Sequence, residues 1–340
     1  DMSRGLGDVY KRQGYKAMWS AEEGYPSRSF LRAVNPKLST VVREKMPGRL
    51  LAPGESAGEL CAGMAKRLTL KAGIPVSAAI IDAHAGVPGA GAADPGTLVM
   101  VMGTSSCHML NATDNRFVPG VAGIVENGIL PGFVGYETGQ AAVGDAFDWL
   151  KRMCGQHDFE MLTSAAAEIA PGSDGVLCLD WMNGCRTPLM DGALRGAFAG
   201  LHLGHGPPHL YRALIEATAC GVRWIVDVLE KGGVPVQKLI ATGGLPHHNP
   251  LIVQIYADVL KKPITIHPCQ YGPALGAAIL GTLAAGPRQT GFRTAASAIR
   301  SMASPASGTA QVVRPQRRNV ALYDDVYRQY RQLADQLRPQ

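Results

Sequence analysis

The chain lacks the marks of several large protein classes. It contains no apolar run of membrane-spanning length, no C-x-x-C pair among its 7 cysteines and no Gly-Lys dipeptide, and aromatic residues are only 6% of its 340 positions. The first absence excludes a membrane-spanning helix. Cysteines 61, 107, 154, 178, 185, 220 and 269 are scattered and odd in number, which favours reduced thiols in a cytoplasmic protein over a disulfide frame or zinc ribbon. Without Gly-Lys there is no Walker A loop, and neither the HRD nor the DFG element of protein kinases occurs. GAGAAD at 89–94 does not open directly from a strand and lacks a third glycine, so it does not make a dinucleotide fingerprint.

What is present describes a globular α/β protein. Apolar residues make up 46% and charged residues 18%, and 41 glycines suit many tight strand-to-helix turns. The length favours two domains, or one domain and part of another. The excess of 6 positive charges is concentrated near the C-terminus at Arg314, Arg317, Arg318, Arg328 and Arg331. That distribution can attract an anionic ligand but is too sparse for a nucleic-acid face. The first thirteen residues, DMSRGLGDVYKRQ, show no periodicity and no hydrophobic signal core, so they read as a disordered or non-native start on a cytoplasmic chain.

Residues 76–110 organise the remainder. The pattern predicts a strand over 76–81 stopping at Asp82, an Ala/Gly helix over 83–92 able to pack closely on a neighbouring backbone, and strands 97–102 and 105–110 around Gly103-Thr104. Upstream, PGESAGELCAGMAKRLTLKAG (53–73) reads as a helix ended by Gly73-Ile74-Pro75. Downstream, two short strands lie within 123–140, helices follow in 141–155 and 157–170, and GVLCLDW (175–181) is a strand. A long helix over 208–231 ends at Gly232-Gly233, and strand, helix, strand and helix then alternate to residue 286. Helix returns at 320–336.

Three features carry chemistry. Asp82 at a strand end can orient an attacking hydroxyl and take its proton, or it can cap the following helix. Gly103-Thr104-Ser105-Ser106 offers backbone N–H groups and hydroxyls to phosphate oxygens, or it is an ordinary hairpin turn. Gly243-Gly244, followed by Asn249 at a helix start, lets a flat base or a phosphate approach the backbone, or it serves only a tight turn. His84 is either a second acid/base or a packing residue, with packing favoured. His202, His205 and His209 fall among Gly204, Gly206, Pro207 and Pro208, which deny them a shared helical face, so they read as a solvated loop rather than a metal site.

Placed in order, GYKAMW (14–19), DAH (82–84), MGTSSCHML (102–110), GYETGQAAVGDAFDWL (135–150), DWMNGCRTP (180–188), ATGGLPHHNP (241–250) and ALGAAI (274–279) resemble the FGGY carbohydrate kinases, and within them the ribulokinase branch. The resemblance implies an RNase H-like fold of the actin/hexokinase/Hsp70 ATPase superfamily. It implies ATP-dependent, magnesium-assisted phosphorylation of L-ribulose to L-ribulose 5-phosphate, with Asp82 as catalytic base. Lys16, Asp82 and Glu137 match sugar-binding positions; Gly103, Thr104, Gly144, Gly243, Gly244 and Asn249 match positions around the nucleotide. No metal ligand is assigned. The implied partners are a ketopentose and ATP, with no nucleic acid or membrane, and a homo-oligomer is left open. A kinase for another pentulose or polyol, or a nucleotide-binding fragment without catalysis, remain the alternatives.

One departure stands beside these matches. The strand-turn-strand that supplies the first phosphate loop in such kinases has no counterpart here. The expected organisation is therefore a start at 1–13, the C-terminal remnant of a sugar-binding domain at 14–90, a nucleotide-binding domain at 91–285 and a helical extension at 286–340, with impaired activity in this chain.

Overall fold

The computed structural model describes residues 19, 23–46, 48, 50–305 and 309–338. Its centre is a seven-stranded sheet in the order β11-β10-β9-β3-β4-β6-β5. Strands β3 (Thr97–Met102), β4 (Ser106–Ala112), β5 (Gly123–Glu126) and β6 (Val134–Gln140) form its antiparallel half. The other half adds β9 (Lys238–Thr242) and β10 (Ile264–Ile266) parallel to β3, and closes with β11 (Gln311–Val313) antiparallel at the edge. The antiparallel run β3-β4-β6, edged by β5 and extended from β3 by helical crossovers to β9 and β10, is the RNase H-like arrangement that the resemblance implies. Two small antiparallel ribbons stand apart from it: β1 (Ser56–Glu59) with β2 (Pro75–Ser77), and β7 (Leu177–Leu179) with β8 (Ala197–Ala199).

In chain order the helices are α1 (Arg28–Val34), α2 (Val41–Lys45), α3 (Ala62–Leu68), α4 (Asp82–Gly89), α5 (Gly144–Met153), α6 (Phe159–Ala167), α7 (Pro207–Lys231), α8 (Gly244–His248), α9 (Pro250–Leu260), α10 (Gly272–Ala285), α11 (Pro287–Thr290), α12 (Ala295–Met302) and α13 (Arg317–Leu337). Alternation along each strand sends side chains to opposite faces, so both faces of the sheet are covered. Leu98, Met100 and Met102 of β3 join α5, α7, α9 and α13 in one core. Val99 of β3 and Met109 of β4 join α4, α10 and α12 in the other. The second core is built at backbone distance, because α4 and α10 carry Gly89, Gly272 and Gly276 where they cross.

Two expectations are corrected. Residues 53–73 do not form a single helix, since Gly54 and Gly58 hold φ at +85° and +146°, outside helical conformation. That segment instead makes β1, paired with β2, and only then α3. The strand expected over 76–81 ends at Ser77, and β2 pairs with β1 rather than entering the main sheet. Asp82 therefore does not end a central strand; it opens α4. The strand Gln311–Val313 adds to the expected set, because three residues in a polar stretch give no usable alternation.

Candidate functional site

The hairpin between β3 and β4 is the structural hub of the site. Gly103 N–H donates to the Ser105 carbonyl (3.1 Å) to close the turn. The start of α5 then docks onto it: Val143 and Asp145 N–H groups donate to the Thr104 carbonyl (3.0 and 3.1 Å), and Gly144 N–H to the Gly103 carbonyl (3.0 Å). These helix-terminal donors are engaged by the turn itself, so they do not face a ligand. Thr104 and Ser105 remain exposed, with their hydroxyls available for phosphate oxygens.

Three glycines are brought together here. A Cβ on Gly144 would lie 2.6 Å from the Gly103 carbonyl oxygen, and one on Gly243 would lie 2.5 Å from the Met102 carbonyl oxygen. Gly243 also holds φ at +96°, so it is required by both contact and conformation. Gly244, by contrast, would have nothing within 4 Å of an added Cβ and simply begins α8. Asn249 caps α9 by accepting from Ile252 N–H (3.2 Å), while its Nδ2 donates to the hydroxyls of Thr163 and Tyr211 (both 3.1 Å).

Gly144 and Asn249 both line a cleft of about 650 Å³. Phe147, Phe159 and Tyr211 supply its aromatic wall, and Thr163, Ser164 and Glu160 its polar groups. Phe147 meets Tyr211 edge-on at 5.6 Å, and Lys151 lies 4.1 Å above the Phe159 ring. An apolar slot with a few hydrogen-bonding groups beside a hydroxyl-bearing glycine turn can take a flat base with its phosphates directed at the turn.

A second constellation lies on β6 and α4. Glu137 is buried and both of its oxygens are engaged: His84 Nε2 donates to Oε2 (3.0 Å), and the Arg186 guanidinium donates to Oε1 in a close ion pair. Burial alone would raise the carboxyl, but His84 and Arg186 outweigh it and hold it down at about 2. His84 packs as expected, yet it packs as a hydrogen-bond donor to Glu137. Asp82, two residues earlier on α4, is exposed; its Oδ1 accepts from the adjacent Ala83 N–H (2.7 Å). The cap position belongs to Ile81, so Asp82 is not the helix cap but an acidic residue of the first turn. Lys16, the remaining sugar-binding candidate, lies outside the described residues.

Beneath Glu137 runs a buried polar chain. His108 donates from Nε2 to Gln140 Oε1 (3.2 Å), Gln140 Nε2 donates to Asp180 Oδ2 (2.8 Å), and the Tyr330 hydroxyl donates to Asp180 Oδ1 (2.8 Å). Burial drives the His108 pKa down to about 4, so that ring is neutral near pH 7. Burial also raises the Asp180 carboxyl.

Asp174, His202 and His205 are the one group of three potential metal ligands close together among the described residues. Their hydrogen bonds disfavour an ion. Nδ1 of His202 accepts from Gly204 N–H (3.0 Å) and Nδ1 of His205 from His202 N–H (3.1 Å), which leaves the proton on Nε2 of each neutral ring, where a metal would have to bind.

Residues 98–285 match the C-terminal domain of the FGGY family of carbohydrate kinases. The chain belongs to that family. Among FGGY relatives it is 43% identical to the ribulokinase of Bacillus licheniformis over 332 residues, covering 94% of this chain and 60% of that protein. It is 40% identical to the ribulokinase of Mycolicibacterium smegmatis, covering 95% of this chain and 58% of that protein. The chain thus spans about 60% of the length of the ribulokinases it matches. The structure of a xylulose kinase from Rhodospirillum rubrum superposes with a TM-score of 0.76 at 25% identity, over 88% of this chain and 60% of that one. A gluconate kinase from Lactobacillus acidophilus shares the fold, with a TM-score of 0.76 at 19% identity over 89% of this chain and 60% of that one.

Of the residues that the resemblance assigns to the nucleotide, Gly103, Thr104, Gly144 and Gly243 lie in one structural neighbourhood, and Asn249 lines the adjoining cleft. Sequence reasoning did not single out Arg186, although the CRTP tetrapeptide contained it. An arginine in a loop rich in turn residues gives no signal of which carboxylate it will meet.

Proposed function

We propose that this chain carries the nucleotide site and part of the sugar site of an ATP-dependent ketopentose kinase, acting on L-ribulose to give L-ribulose 5-phosphate and ADP. The observation that carries this reading is the docking of the Gly103-Thr104 turn on Gly144, which itself lines an aromatic-walled cleft, with Gly243 closing on the same strand end. The kinship with ribulokinases supports the choice of L-ribulose over other pentuloses and polyols. A cytoplasmic location, a place in arabinose breakdown, and the division at residues 14–90, 91–285 and 286–340 belong to the same proposal, and self-association is compatible with it.

Asp82 accepts the proton of the terminal hydroxyl as that oxygen attacks the γ-phosphorus, and the bond from phosphorus to the β-bridging oxygen of ATP breaks. Lys16 and Glu137 hold the sugar through its other hydroxyls. Thr104, with the Gly103 turn, contacts the phosphates, while Gly244 and Asn249 flank the nucleotide. Magnesium, for which no residue of this chain is assigned as a ligand, would supply charge neutralisation to the transferring phosphoryl group.

The test pairs ATP calorimetry with a coupled kinase assay over L-ribulose, D-xylulose and glycerol. ATP binding with fastest turnover on L-ribulose supports the proposal, whereas a strong preference for D-xylulose or glycerol sinks the substrate assignment. The chain's span of 60% of its relatives favours a second reading, nucleotide binding without transfer by these residues alone. ATP binding with no turnover on any sugar supports that reading.

A further inference from the structure

The loop after β7 is fastened to β6 by a reciprocal pair of hydrogen bonds. Thr187 N–H donates to the Gly139 carbonyl (3.2 Å), and Gly139 N–H donates to the Thr187 hydroxyl (3.3 Å). This stitch fixes the residue before it, Arg186, across the strand. Gly139 leaves the necessary room: a Cβ there would lie 3.3 Å from Arg186 Nη1 and 2.4 Å from the Ser106 carbonyl oxygen. The guanidinium then spans from Cys107 Sγ, 3.6 Å from Nη1, to Glu137 Oε1. On the opposite side of the same carboxylate, His84 reaches Oε2 from α4.

We propose that Arg186 and His84 are positioning residues for sugar recognition, locking the Glu137 carboxylate from two sides so that it meets polyol hydroxyls only as an acceptor. This rests on the reading of Glu137 as a sugar-binding residue. Each carboxylate oxygen has one lone-pair direction occupied by its clamp and another left over. A hydroxyl that donates to the remaining direction gains a charge-assisted bond whose geometry is set before the sugar arrives. Arginine suits this role because its planar fork grips Cys107 and Glu137 at once; lysine, a single point of charge, cannot hold both. The groups facing Glu137 from packed elements are His84 of α4 and Arg186 of the loop, with Cys107 of β4 in contact with the latter.

The test uses the full chain and two readouts. In protein carrying ¹³C-labelled glutamate, the Glu137 side-chain carboxyl is assigned by its loss in Glu137→Gln and titrated in the native chain, Arg186→Gln, Arg186→Lys and His84→Gln. The midpoint should rise in the two Gln variants and partly return in Arg186→Lys. An unchanged midpoint in folded Arg186→Gln and His84→Gln overturns the clamp, whatever the sugar does. Calorimetry with L-ribulose should show binding weakened roughly tenfold in Arg186→Gln. That loss should vanish when Glu137→Gln is already present. A persisting loss means that Arg186 touches the sugar directly and overturns the positioning role. If the native chain binds no pentulose, the sugar assignment of Glu137 fails with it, while the titration still decides whether the clamp exists.

Discussion

Gly276 and Ala85 meet backbone to backbone: a Cβ on Gly276 would fall 1.7 Å from the Ala85 carbonyl oxygen. The reciprocal contact is as close, since a Cβ on Gly89 would fall 1.8 Å from the Gly272 carbonyl oxygen. Helix α4, which carries Asp82 and His84, is therefore seated on α10 without intervening side chains. Gly276→Ala should force the helices apart and cost about 1–3 kcal/mol, the range for overpacking a tight interior. Urea unfolding would measure it, and Gly281→Ala, with open space at its Cβ, serves as the control. Equal stability of both variants would show that the crossing tolerates separation.

The two neighbouring glycines of the ATGG turn should behave differently. Gly243→Ala meets the Met102 carbonyl at 2.5 Å in a backbone conformation alanine resists, whereas Gly244→Ala meets nothing within 4 Å. If the Gly103-Thr104 turn binds phosphate, Gly243→Ala should lower ATP affinity about tenfold by displacing it, with stability lost by about 1–3 kcal/mol. Gly244→Ala should retain ATP binding and stability in calorimetry and thermal melts.

If Asp82 is the base, Asp82→Asn should leave ATP affinity unchanged and reduce phosphoryl transfer by about 10²–10⁴-fold, the usual share of a general base. The side chain is exposed and makes a local hydrogen bond, so the fold should not depend on it. Turnover rate and ATP binding measured on one preparation separate the two effects.

Acid stability should be set in two stages. The His108 pKa is about 4 in the fold against 6.5 for a free imidazole, so the unfolded chain binds a proton the folded one refuses, and stability falls as pH drops from 6.5 towards 4. Glu137 acts lower down. Its carboxyl lies at about 2 against 4.5, so its contribution is complete above pH 4.5 and is lost as pH falls towards 2. His108→Gln, which keeps a donor towards Gln140, should flatten the upper stage only. Urea midpoints taken across this range would reveal an unchanged slope if the assignment is wrong.

Helix α13 should be held by buried hydroxyls as well as by area. The Tyr323 hydroxyl donates to Glu216 Oε1 (3.0 Å) and accepts from Arg212 Nη2 (3.1 Å), and the Tyr330 hydroxyl bonds Asp180. Tyr330→Phe leaves a buried carboxylate oxygen without its donor and should cost about 1–3 kcal/mol in chemical unfolding. A cost near zero would place water in the small cavity beside Asp180 as a substitute donor.

The sequence alone determined much of this protein. Periodicity and glycine punctuation located β3, α5, α7, α9 and α10, because each is long enough for apolar spacing to exceed chance. The Ala/Gly content of α4 foretold its backbone-level packing, and the residue order across the motifs foretold the FGGY relationship. Tertiary structure decided what short range cannot encode. Residues 76–81 stay out of the main sheet because β2 pairs with β1, a strand that includes Gly58 at positive φ. The partners of Glu137 came from positions 53 residues earlier and 49 residues later. A carboxylate's ionisation reflects the charges and solvent around it in space, and those neighbours are chosen only when α4 and the Arg186 loop fold onto β6.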